Sequence, residues 1–134
     1  MKISQYRENA FLILFEASFR EDTPEELFQL AEEVGEIRLG EKAKNLVCGV
    51  LAQTEALDTI IASYSPKRAL NRIARVDLII LRMAVYELQN SPELPAGVAV
   101  SEAVHLAEVY ASAEDTAFIN GILGNYVRNQ EKNR

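Results

Sequence analysis

Glu102 and His105 stand three residues apart in a stretch of helical spacing, so both side chains fall on one face of a helix. That is half of what a di-iron centre requires, which repeats the pairing on a second helix and adds further glutamates. His105 is the only histidine of the chain and Cys48 the only cysteine, so the set is not completed, and neither a zinc cluster nor an internal disulfide can be assembled within one chain. His105 therefore reads as a solvated or half-buried helix residue, and Cys48, in LVCGV, as a small buried hydrophobe. Gly121 and Gly124, in FINGILGN, lack the lysine and flanking strand of a phosphate loop. No nucleophile elbow surrounds any serine. An enzyme is not expected, nor a metal or a cofactor.

Arginine offers a different chemistry. Between positions 67 and 82 lie Lys67, Arg68, Arg72, Arg75 and Arg82 against one acid, Asp77, while the rest of the chain carries nine basic and nineteen acidic groups. A net charge of −6 opposes broad polyanion binding, yet this distribution places a local basic patch on an acidic body. The patch has two readings: donors for a phosphate backbone, or ion pairs with Asp77, Glu87 and the acidic N-terminal half.

The central element that must carry these charges is IARVDLIILRMAVYEL, Ile73 to Leu88. Ile73, Val76, Ile80, Ala84 and Leu88 align at helical period and predict its core face. Extended back to Arg68 at about 100° per residue, the helix would gather Arg68, Arg72, Arg75 and Arg82 into a sector roughly 80° wide.

Around it the sequence predicts about seven helices. The first runs from about Ser4 to Arg20, with Ala10, Phe11, Leu14, Phe15 and Ala17 along one side. Thr23-Pro24-Glu25-Glu26 caps and opens a second, which stops near Gly35. Lys42 to Gln53 and Thr54 to Tyr64 form one long or two abutting helices, with Gly49 allowing close packing. Ser65-Pro66 opens a short helix leading into the central one, which Pro92 and Pro95 end. Val98 to Tyr110 is followed by Ser112-Ala113-Glu114-Asp115, a capping box for a last helix to about Arg128. Few glycines and prolines and much Ala, Leu and Glu favour an all-α class, and 134 residues fit one domain spanning 1–134. With no signal pattern and no apolar run near 18 residues, the expected location is cytoplasmic.

Three ordered segments carry a family resemblance: RVDLIILRMAVYEL, then EAVHLA, then FINGIL, preceded by RENAFLILF and KNLVCGV. Together they resemble the NusB family of bacterial transcription antitermination and termination factors over nearly the whole chain. The resemblance implies two small helical bundles packed together, no catalysis, and a heterodimer with NusE, a ribosomal small-subunit protein. The pair would bind single-stranded boxA RNA of ribosomal RNA leaders within a transcription complex with RNA polymerase.

Carried over position by position, Lys2 and Arg7 stand in the family's basic N-terminal segment, which is thin here, leaving Arg68, Arg72 and Arg75 to replace it. Arg82 either braces the fold with Glu87 or reaches RNA. Phe118 matches an aromatic that either stacks a splayed base or fills the inter-bundle core. Asn120 meets a base edge or caps backbone, Gly121 allows tight helix packing, and Asp115 tunes RNA affinity by repulsion or serves as a helix N-terminal acid. Phe15, Phe19 and Asp77 match the partner-binding face, with a core role as the alternative for Phe15. Gly124 and Ala111 depart from the family pattern, which has an acid and a glycine there. A second reading keeps the fold but makes the chain a protein-interaction module without RNA affinity, possible as a homodimer that hides Phe15.

Overall fold

A computed structural model describes residues 3–35 and 38–133 and is helical throughout, with no strand among them. Its seven helices are α1 (Gln5–Ala17), α2 (Pro24–Val34), α3 (Glu41–Ala52), α4 (Thr54–Ser63), α5 (Arg75–Asn90), α6 (Ala96–Tyr110) and α7 (Ala113–Lys132). The expected class and helix count hold. α1, α2 and α3 pack on one another, α6 packs against α7, and α5 touches α1, α3, α4, α6 and α7. No single helix among the described residues is long and apolar enough to cross a membrane.

The centrality of α5 follows from its sequence. Asp77, Ile79, Ile80, Leu81, Met83, Ala84, Val85 and Glu87 are all buried, so its core surface wraps far wider than the one line that periodicity predicts. Val76 and Leu88, on that line, are only half-buried. α5 also starts later than expected. Ile73 (ψ 126°) and Ala74 (ψ 145°) are extended, and a single 3-10 turn, Leu70–Arg72, precedes them. Ile73 is buried and anchors this break in the core, so the hydrophobic period runs on where the helix does not. Arg68 and Arg72 consequently lie off α5, and the proposed four-arginine flank does not form.

Local capping signals fare better. Thr23 and Glu26 form a reciprocal capping box with Pro24 in the first turn, and Gly35 closes α2. α3 and α4 are separate helices bent 73° at Gln53. Gly49 lets α3 meet Tyr86 of α5, where an added Cβ would come within 2.1 Å of the phenol oxygen. Ser112 caps α7 through the Asp115 amide, but only half the expected box exists, because the Asp115 carboxylate points to Arg68. Ala111 closes α6 at φ −118°, an extended conformation with no need for glycine.

Two expectations fail for reasons of helical phase. Cys48 is exposed because α3 turns Ala43, Leu46, Val47 and Val50 inward. Gly121 packs against nothing within 4 Å of where its Cβ would stand, so tight helix packing is not its role.

A buried polar cluster joins α1 to the C-terminal helices. Arg7, 4% exposed, donates two hydrogen bonds to Glu87 (2.8 and 2.9 Å) and one to Glu102 (2.9 Å). Glu102 also accepts from the Ser4 backbone amide at 3.1 Å and from the Ser4 hydroxyl, supplying from α6 the cap that α1 lacks in its own sequence. Arg7 is therefore withdrawn from the RNA-binding set, since both its charge and its donors are consumed inside the protein.

Candidate nucleic-acid interface

The turn from Ser65 to Arg68 runs beside α7 and is locked by the Ser65 hydroxyl donating to the Arg68 carbonyl at 2.6 Å. It delivers the Arg68 guanidinium onto the Phe118 ring, 3.9 Å from the centroid, and within 3.1 Å of the Asp115 carboxylate. Asp115 and Phe118 are one turn apart on α7, so acid, ring and cation form one assembly. Phe118 is half-buried: it packs on the core and still carries Arg68 on a face. The core reading of Phe118 is thus partly realised.

Behind this assembly sits Asp77. It is fully buried, and among the described residues its two carboxylate oxygens are the only buried side-chain polar atoms without a hydrogen-bond partner. Burial first, and then the neighbouring Asp115 carboxylate, raise its pKa from 3.8 to about 7, with Arg68 opposing. Asp115 is held below the usual carboxylate range by the neighbouring Asp77 carboxyl first and by Arg68, against the effect of its own burial. Asp77 is corrected from a partner-facing residue to a buried support beneath Arg68 and Asp115.

The expected partner face gains a different member. Phe15 is half-buried and meets Phe19 edge-on at 5.0 Å; Phe19 is 61% exposed. Arg75 covers Phe19 at 4.2 Å and donates to the Ser18 carbonyl at 2.7 Å, which places it with this aromatic pair rather than with Arg68. The two clusters meet at the first turn of α5, where Arg75 serves one and Asp77 the other.

The remaining candidates scatter. Arg82 holds Asp58 of α4 through two hydrogen bonds of 2.7 and 2.8 Å, a brace and not a phosphate donor. Glu87 braces the fold through Arg7. Arg72 and Asn120 are exposed. Lys2 lies outside the described residues. His105 is half-buried, 4.0 Å from Glu108, and no group of three or more metal-ligating side chains occurs among the described residues. Sequence reading passed over Asn125, Arg128 and Lys132, although their spacing from Phe118 on one helix was available.

The sequence profile of the NusB family matches residues 4–128. The chain belongs to the NusB family. It is 41% identical to the transcription antitermination protein NusB of Pelotomaculum thermopropionicum, covering all of this chain and 94% of that one. The corresponding protein of Desulforudis audaxviator is 37% identical, over all of this chain and 99% of the relative. Among solved structures, T. maritima NusB superposes with a TM-score of 0.76 at 32% identity, covering 93% of this chain and 91% of the other. A chain in a crystal structure of the antitermination factors NusB and NusE in complex with double-stranded RNA gives 0.75 at 29% identity, over 90% and 91%.

Proposed function

We propose that this NusB-family protein binds single-stranded boxA-type RNA together with NusE and so acts as a transcription antitermination factor in the cytoplasm, within a complex containing RNA polymerase. The observation that carries this reading is the Arg68 guanidinium stacked on the half-exposed Phe118 ring. Stacked cation and ring offer a flat, sequence-tolerant platform for an unpaired base, and the charge attracts the adjoining phosphate. NusE is assigned to the Phe15, Phe19 and Arg75 face, an exposed aromatic anchor ringed by charge. Because Arg75 and Asp77 lie two residues apart, protein bound on one side of the α5 start presses on the support of the RNA platform on the other. Residues 1–134 act as one unit in this reading.

The test is RNA binding by fluorescence anisotropy, with and without NusE, over a range of salt. Tighter binding with NusE, a negative salt slope, and preference for the single strand over its duplex are expected. No gain from NusE and a flat salt response overturn the reading. Solution mass adds a second check: a stable homodimer that buries Phe19 favours the interaction-module alternative.

A further inference from the structure

At about 100° per residue, Phe118, Gly121, Asn125, Arg128 and Lys132 fall within a sector of α7 roughly 80° wide. This line leads from the Arg68 platform to a cleft of about 380 Å³ between the end of α4 and the C-terminal half of α7. Tyr64, Pro66, Asn125, Arg128, Asn129 and Lys132 line it, without one acidic side chain, on a chain of net charge −6. Among the described residues neither Arg128 nor Lys132 has an ion-pair partner. Glu131, the nearest acid in sequence, falls outside the sector.

The cleft has the parts a nucleotide needs. Tyr64 is fixed edge-on against Tyr126 at 5.5 Å, and its hydroxyl accepts from Asn129 at 2.7 Å, so the ring is held in place beside two carboxamides. Arg128 lies back over Gly124, where a Cβ would stand 3.3 Å from Nη1, and donates to the Asn125 side chain. Its guanidinium is thereby laid along the helix, with no ion-pair partner among the described residues. Between platform and cleft stands Gly121, exposed in mid-helix, with nothing near the space its Cβ would fill. Glycine there costs helix stability of about 1 kcal/mol relative to alanine and returns nothing in packing. Its effect is to open the backbone to close approach from outside. The ten residues from Phe118 to Arg128 rise about 15 Å, a span that a few extended nucleotides bridge. The Ser65 to Arg68 turn borders both ends, with Arg68 at the platform and Tyr64 and Pro66 at the cleft.

We infer that the cleft is a second nucleotide site on the same strand: RNA seated at Phe118 continues along the Gly121 flank of α7 and places a phosphate between Arg128 and Lys132, with a base against Tyr64. This rests on the RNA-binding reading of Phe118. The ligand class is single-stranded polynucleotide, recognised through backbone charge and ring stacking.

The experiment compares a short boxA-type strand with strands extended by about four nucleotides at one end or the other, within the range a single-strand site covers. Each is titrated in the presence of NusE against wild type and the Arg128→Glu/Lys132→Glu variant. Wild type is expected to gain about tenfold from extension at one end, with the salt slope steepening by about 0.7 for each phosphate engaged. The variant should lose that gain while binding the short strand as wild type does, which also reports that it is folded. Equal affinity of short and extended strands for wild type, or an undiminished gain in the variant, overturns the second site alone. Failure of wild type to bind even the short strand overturns the RNA-binding reading itself, and this inference with it.

Discussion

The Arg68 guanidinium is shared between the Phe118 ring, 3.9 Å from its centroid, and the Asp115 carboxylate at 3.1 Å. In the proposed RNA-binding role, each partner restrains what Arg68 can offer to a strand. With only about a quarter of either charged side chain exposed, the pair lies where solvent still screens it, so its strength belongs at the modest end for ion pairs. Asp115→Asn should therefore tighten RNA binding by about two- to fivefold, the equivalent of less than about 1 kcal/mol. Arg68→Ala should weaken it, and Phe118→Ala should weaken it by about 1–3 kcal/mol. Anisotropy titrations check all three; an Asp115→Asn variant no tighter than wild type would mean that Asp115 does not restrain Arg68.

Asp77 makes stability depend on pH in an unusual direction. Its folded pKa, about 7, lies above the ordinary 3.8, so between these values the folded protein keeps a proton that the unfolded chain has released. Stability from this group is complete below about pH 4 and is lost as pH rises through 7. Asp115, shifted the other way, contributes stability above the usual carboxylate range that is lost only on stronger acidification. Asp77→Asn removes the first dependence. Urea unfolding at pH 5 and pH 8 should show the variant gaining on wild type at the higher pH by about 1–3 kcal/mol. A constant difference across that window would rule out a buried, protonated Asp77.

Arg7 tests the internal cluster. Replacing it with methionine leaves Glu87 and Glu102 buried without their cation, which should cost about 3–5 kcal/mol. Denaturant midpoints measure the loss. A change under 1 kcal/mol would show that the cluster is solvated rather than enclosed.

Two glycines predict opposite outcomes for the same substitution. Gly49→Ala drives a methyl into the Tyr86 ring and should destabilise by about 1–3 kcal/mol despite better helix propensity. Gly121→Ala meets open space and should stabilise by up to about 1 kcal/mol. Thermal unfolding of the two variants side by side separates the cases.

What could be read from sequence was whatever neighbours in the chain decide. Thr23, Pro24 and Glu26 cap α2 among themselves, and Gly49 marks a close approach because helical period already put it on a packed face. The Ile73 break was hidden because its cause is burial of one side chain in the core, while the apolar period continues through it. Arg7 was misassigned because its acids stand 80 and 95 positions away. Asp77 and Asp115 are unremarkable in sequence and become neighbours whose pKa values move in opposite directions only when α5 and α7 are packed side by side. Phe118 was found because the family motif named it, yet the arginine that covers it belongs to a turn that periodicity had drawn as helix.

The cap of α1 has a bearing on how the protein is made. Ser4 is held by a carboxylate 98 positions later in the chain, so on the ribosome the amino terminus emerges first and waits for α6 before its helix can be closed. At about 5–20 residues per second the wait lasts seconds, during which α1 can pack on α2 and α3 but its start stays open. A nascent chain truncated before Glu102 should leave its amino terminus open to protease, and one that has exposed α6 should not. The start of α1 is thus fastened only once α6 has been made, and the state of Ser4 reports the arrival of Glu102.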